Sequence, residues 1–211
     1  MNLDYWKARW QEGRIGFHGC EVNSNLEQYW GALEATPGAT VFVPLCGKSL
    51  DLHWLQQQGH FVVGNEISPL AVQEFLAESG SMEGIELVCD DFFQLTPDHL
   101  QGATCWYDRA AWIALPQAMQ QKYVTHLASL LPPGAVGLLV ALEYPQELMD
   151  GPPFSVEEAA VRKLCAGLFD CQILARKDRR SEEKFHSRGI ARADEVIWRL
   201  ARQSAPDLSD W

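Results

Sequence analysis

Six cysteines are present but no C-x-x-C pair, and six histidines but no H-x-x-x-H or H-E-x-x-H spacing. The first absence, at this chain length, argues against a disulfide framework. The second argues against a metal centre, and none is expected. Cys89 and Cys105 fall inside apolar runs, where small buried thiols are expected. Positive charge is scarce: 17 Lys and Arg against 28 Asp and Glu leave a net charge of −11. That balance speaks against a binder of nucleic-acid backbones. No apolar run approaches the roughly 20 residues a membrane span requires. The opening MNLDYWKARWQEGRIGFH has no apolar core of the signal-peptide type, so a soluble, cytoplasmic chain is expected. No G-x-S-x-G appears, which removes the hydrolase elbow. No G-x-G-x-x-G or Walker A loop appears either, which weakens an NAD or triphosphate site. Repeats and low-complexity tracts are absent.

What remains is an ordinary globular composition, 47% apolar and 21% charged over 211 residues. One domain is expected, with an aromatic-rich helical segment over 1–38, an α/β core over 39–202 and a frayed tail over 203–211. The pattern centres on TVFVPLCGKSLDLHWL, Thr40 to Leu55. It reads as a buried strand, a sharp loop at Pro44 to Lys48, and a helix starting near Ser49. Further strands are expected at His60–Glu66, Glu86–Cys89, Thr104–Tyr107 and Ala135–Leu142, with helices between them. Ser68-Pro69 supplies an N-cap followed by proline at the first helical position. Ser155 and Glu158 have the spacing of a capping box. Cys171–Arg176 and Ala193–Leu200 follow as two strands without a helix between them, which predicts an antiparallel pair at one sheet edge. The fold class is therefore α/β: a doubly wound, mostly parallel sheet with an antiparallel last pair.

In such a sheet, ligands sit outside the carboxyl ends of the strands. Gly47 in the first loop allows close backbone approach to a ligand. Glu66 ends the second strand, where a carboxylate can accept from ribose hydroxyls; the plainer reading is a solvated strand-end acid. Asp91 and Phe92 follow the third strand and suit an adenine, or form an exposed turn with a core phenylalanine. Asp108 and Arg109 end the fourth. They form a local salt bridge, or Arg109 points into the crevice toward a carboxylate. The aromatics of the first 38 residues either pack on the sheet or close over a ligand. The basic segment Lys177 to Arg192 is solvated surface, or it folds over the crevice and holds an anion.

Together these residues resemble the thiopurine S-methyltransferase family. The likeness rests on W-x-x-x-W-x-x-G-x-x-x-F-H at Trp6 to His18, V-P-L-C-G-K-S at Val43 to Ser49 and G-H-x-V-V-G-x-E-I-S at Gly59 to Ser68. It extends to Y-D-R-A-A at Tyr107 to Ala111 and G-P-P-F at Gly151 to Phe154. The length looks like that of the bacterial branch. The resemblance implies a seven-stranded class I methyltransferase fold that binds S-adenosylmethionine, released as S-adenosylhomocysteine. It implies cofactor contacts at Trp10, Leu45, Gly47, Glu66, Asp91, Phe92 and Arg109. Arg109 is also the candidate catalytic group, and Phe17 meets the substrate. The implied acceptor is an aromatic or heteroaromatic thiol. A selenium or tellurium compound is the alternative acceptor, and a non-catalytic cofactor-binding module the alternative role. A monomer without nucleic-acid or membrane partners is expected. Two positions depart from the family pattern. Asn65 replaces a more usual Val and is expected to alter strand packing. Trp112 replaces an expected Leu and is expected to reshape the substrate side.

Overall fold

The structure, a computed structural model, describes residues 3–16 and 18–204. Helices α1 (Leu3–Gln11) and α2 (Ser24–Tyr29) precede the sheet. Then come β1 (Thr40–Val43), α3 (Asp51–Gln57), β2 (Phe61–Glu66), α4 (Pro69–Glu78) and β3 (Ile85–Cys89). Next are β4 (Cys105–Arg109), α5 (Gln117–Leu130), β5 (Val136–Glu143) and α6 (Glu158–Cys165). The chain closes with β6 (Phe169–Asp178), α7 (Glu183–His186) and β7 (Asp194–Arg202). The seven strands run in the order β3-β2-β1-β4-β5-β7-β6. β1 to β5 pair in parallel, and β7 lies antiparallel to both β5 and β6. The expected antiparallel pair is thus in place, with β7 inserted between β5 and the edge strand.

Strand alternation sorts the apolar residues into two cores. On β4, Trp106 faces the α5–α6 side, while Cys105 and Tyr107 face the α2–α3 side. On β5, Leu139 and Ala141 join the first core, and Leu138 and Val140 the second. Gly137 sits in register beside Trp106, and a Cβ there would overlap the indole, so this strand glycine makes room for a large neighbour. A third small core of Leu142, Tyr144, Phe185, Ile190 and Ala193 pins the excursion between β6 and β7 against the end of β5.

Local signals were met unevenly. Ser68 caps α4, its side chain accepting from Ala71 N at 3.3 Å, with Pro69 opening the helix. Ser155 does not cap α6: its Oγ accepts from Tyr144 N at 3.0 Å instead, and the helix starts only at Glu158. Cys105 is buried as expected, whereas Cys89, the last residue of β3, is exposed. Gln203, expected to fray, is held by its N–H to Leu168 O at 2.9 Å and its side chain to Asp170 at 2.7 Å. The rest of that tail, 205–211, lies outside the described residues.

Candidate active site

Strand order reverses between β1 and β4: the chain goes to β2 on one side of β1 and later to β5 on the other side of β4. Loops leaving such neighbouring strands diverge and leave a crevice. A cavity of about 720 Å³ opens there. Trp10, Leu45, Gly47, Glu66 and Arg109 all line it. The sequence reading thus converges on one place for five residues drawn from α1, the β1 loop, β2 and β4.

The loop after β1 is bent by two left-handed residues, Leu45 (φ 48°) and Gly47 (φ 56°). For leucine this backbone is strained, the kind of conformation that surrounding structure must enforce. Two bonds enforce it: Cys46 N to Asn65 O at 2.8 Å and Gly47 N to Glu66 Oε2 at 3.0 Å. A Cβ at 47 would lie 3.1 Å from the Trp10 ring, so glycine also lets the indole rest on the loop. Lys48 also lines the cavity, and it pairs with Glu74 and Glu78 of α4 at 2.9 and 2.6 Å.

Glu66 is 5% exposed and fixed from both sides. Its Oε2 accepts from Gly47 N and its Oε1 from Ser68 N at 2.8 Å. Burial raises its pKa, and the backbone donors oppose the rise. Each oxygen keeps a free lone pair for a hydroxyl, so the residue is neither solvated nor spent. Cys46 also lines the cavity, but burial, reinforced by Glu66, pushes its thiol far above the ordinary range, so it stays protonated.

Arg109 and Asp108 do not pair. Consecutive strand residues face opposite sides. Asp108 is buried on the far face, accepting from Tyr123 Oη at 2.6 Å and Trp112 N at 3.1 Å. Burial lifts its pKa to about 6. Arg109 faces the cavity, and no carboxylate of the described residues lies within 4.0 Å of its guanidinium.

Asp91 and Phe92 are not brought to the cavity lining. Phe92 is 1% exposed, stacked beside Phe42 and tilted against Tyr123. Asp91 caps the short turn after β3 by accepting from Phe93 N at 3.1 Å. Phe17 lies outside the described residues; its neighbours Gly16 and His18 line the cavity. Trp112 is 1% exposed in the α5–α6 core, against Tyr123, so its bulk is absorbed there and does not reshape the cavity. Asn65 does alter its strand: its Nδ2 donates to Val88 O at 3.1 Å and Asp90 O at 2.9 Å, tying β2 to the end of β3.

The basic segment reaches the cavity through Arg179 and Lys184. Both pair with Glu182, and Arg179 also approaches Glu195 at 3.5 Å. Pro152 and Pro153 of the G-P-P-F motif form part of the wall. Asn25, Asp51 and Glu195 are not among the residues the sequence singles out, and Tyr107 enters there only as the first residue of Y-D-R-A-A. They join the lining from α2, α3, β4 and β7.

This sheet order, with its crevice and an acid ending the second strand, is the frame of a class I methyltransferase. A solved methyltransferase from Burkholderia thailandensis, the 1,6-didemethyltoxoflavin-N1-methyltransferase with bound S-adenosylhomocysteine, shares the fold. It superposes with a TM-score of 0.63 at 14% identity, covering 96% of this chain and 87% of that one. The family model for thiopurine S-methyltransferase matches residues 1–203. The thiopurine S-methyltransferase of Pseudomonas syringae pv. syringae is 42% identical, covering 97% of this chain and 100% of the relative. That of Pseudomonas fluorescens is 44% identical, covering 97% and 99%. The chain belongs to the thiopurine S-methyltransferase family. It is an S-adenosylmethionine-dependent methyltransferase.

Proposed function

We propose that the chain methylates the sulfur of aromatic or heteroaromatic thiols of the thiopurine kind. The observation that carries the reading is the single cavity shared by two sets of residues. Leu45, Gly47, Glu66 and Trp10 line it, and so do Pro152, Pro153 and Ile113. A volume near 720 Å³ lies within the range of ligand pockets, which run to about 1,000 Å³.

The residues fit the cofactor. Glu66, fixed by two backbone N–H groups, offers lone pairs to ribose hydroxyls. Gly47 and Leu45 give a loop that a methionyl chain can approach, with Trp10 across it. Arg109, free of carboxylate partners among the described residues, suits the methionyl carboxylate or an anionic acceptor. Asp91 and Phe92 would act on the adenine side indirectly, by setting the turn after β3. The cofactor brings a methyl group already activated on a sulfonium. The protein then has to orient a soft nucleophile and exclude water. Orientation alone contributes about 7–11 kcal/mol in the best model systems. Phe17 would supply an aromatic face to the acceptor. Arg179 and Lys184 at the cavity wall favour an acceptor that arrives as its thiolate, so no strong base is required. A monomer acting in the cytoplasm on a small molecule fits this reading.

The test is a methyl-transfer panel with S-adenosylmethionine and either 6-mercaptopurine or selenite. Turnover of the thiol is expected. Turnover of selenite alone would move the acceptor class to metalloids. Tight cofactor binding without any turnover would leave a binding module.

A further inference from the structure

Two of the six cysteines meet where α6 turns into β6. Cys165 is the last residue of α6, and Cys171 is the third residue of β6. Leu168 N donates to Cys165 O at 2.9 Å, so the chain reverses tightly between them. Strand alternation points Cys171 the same way as Phe169, into the α5–α6 core that holds Cys165. There the two thiols are hydrogen-bonded to each other, Cys165 donating. Cys171 Sγ passes its own hydrogen on to Phe169 O at 3.6 Å.

The pair is unequal. Cys165 is wholly buried, and Cys171 is partly exposed. The bond from Cys165 holds the Cys171 thiol below its ordinary range, with burial opposing and Arg162 assisting. Cys165 is pushed far up by the same bond and then by burial. Burial pushes Cys46, Cys89 and Cys105 up as well. The thiolate is the reactive form of cysteine, so Cys171 is the attacking sulfur. Cys165, in contact with it, is the sulfur that can resolve what forms there.

Neither cysteine lines the cavity. Cys171 lies opposite Leu200 of β7, and Leu200 opposite Gly137, the second residue of β5. The pair thus sits by the amino end of β5, whereas the crevice opens at the carboxyl ends of the strands.

We propose that Cys165 and Cys171 form a reversible disulfide when the protein meets a hydroperoxide. The Cys171 thiolate attacks the O–O bond. An S–O bond forms, the O–O bond breaks, and the leaving oxygen takes up a proton to depart as water or an alcohol. The Cys165 sulfur then attacks the Cys171 sulfenic acid. The S–S bond forms, the S–O bond breaks, and the hydroxyl leaves as water with the Cys165 proton. The sulfur pair loses two electrons, and the hydroperoxide gains them. A reduced dithiol reverses the change by exchange.

Trypsin cuts after Lys163 and Arg176, so both cysteines fall in one peptide, Leu164–Arg176. The full chain is treated with equimolar hydrogen peroxide, unfolded, alkylated and mapped by mass spectrometry without reduction. This peptide should be the first to change, losing both alkylation sites and two hydrogens, and dithiothreitol should restore them. In Cys165→Ala, Cys171 should stop at the sulfenic acid and take up dimedone. In Cys171→Ser, oxidation of Cys165 should slow by at least about tenfold. Affinity of the oxidised chain for S-adenosylhomocysteine should stay within about threefold of the reduced chain's. Sulfinic acid at Cys171 while Cys165 still alkylates overturns the inference, and so does a disulfide that forms first elsewhere. The wild-type map decides this even if a variant fails to fold. A dimedone-free Cys171 in folded Cys165→Ala overturns its role as the attacking sulfur.

Discussion

Two buried aspartates flank the end of β4 on opposite faces, and they are treated very differently. Asp108 and Asp51 are each 1% exposed. Asp108 has a donor on each oxygen, the Tyr123 hydroxyl and the Trp112 N–H. Asp51 has a donor on one oxygen and none on the other. Burial is the same, so burial alone says nothing about role. The difference lies in what is left over. A carboxylate whose acceptor directions are filled by the fold belongs to the fold. One that keeps an oxygen bare beside a cavity is available to something that enters. Glu66 is the intermediate case, with one backbone donor per oxygen and one lone pair of each remaining.

The largest expected effect tests that intermediate case. Glu66→Ala removes a carboxylate placed for two hydroxyl bonds, each of the charge-assisted kind worth about 1.5–3 kcal/mol. Affinity for S-adenosylhomocysteine, read by calorimetry, should fall by about two orders of magnitude or more. Unchanged affinity would remove Glu66 from the cofactor contacts.

The next effect separates the two faces by pH. Asp108 has a folded pKa of about 6 against an ordinary 3.8. Between those values the native state binds more protons than the unfolded chain, so this group's contribution to stability falls as pH rises from about 4 to 6. The shift of roughly two units corresponds to about 3 kcal/mol. Asp108→Asn removes this slope. Relative to wild type, the variant should gain stability by up to that amount between pH 4 and 7.5, measured by urea unfolding. A difference that does not change with pH would mean that Asp108 titrates normally.

Two tyrosine truncations then make the comparison direct. Tyr123→Phe strips the satisfied carboxylate of a donor and should cost about 2 kcal/mol at pH 7.5, with cofactor affinity unchanged. Tyr107→Phe removes a hydroxyl that the fold does not use and should move stability by no more than about 0.5 kcal/mol. Equal stability losses would erase the distinction drawn between the two faces.

Much of this architecture was legible in the sequence because it depends on local pattern. Continuous apolar runs fixed the central strands, and Ser68-Pro69 marked its helix. The return of two strands without a helix marked the antiparallel pair. The loop at Leu45–Gly47 and the acid at Glu66 were legible because both end strands that the pattern locates. Other features depend on partners distant in the chain. Ser155 has the spacing of a cap, but Tyr144 N takes its hydroxyl. Phe92 sits at the right place in the chain, but the short turn after β3 directs its ring into the core. Asn25 and Asp51 have no sequence signal, and Tyr107 only its place in Y-D-R-A-A, since lining a cavity is a property of the assembled fold.

Asn65 offers the most discriminating test. It is 1% exposed, and its amide nitrogen spends both hydrogens, on Val88 O and Asp90 O. By the argument from leftover valence, it belongs with Asp108: a satisfied group that holds structure and meets no ligand. Asn65→Val installs the residue more usual in the family, with better strand propensity and no donor. Two carbonyls then lose a partner, against a modest gain from burying methyl groups. The expected balance is a loss of about 1 kcal/mol. Hydrogen exchange should show weaker amide protection over 90–93, the turn that Asn65 ties down. Affinity for S-adenosylhomocysteine should change by less than about threefold, because Glu66 keeps both its backbone donors. A loss of affinity without a loss of protection would mean that a buried side chain whose donors are both spent can still act on the ligand, and leftover valence would no longer separate the two classes.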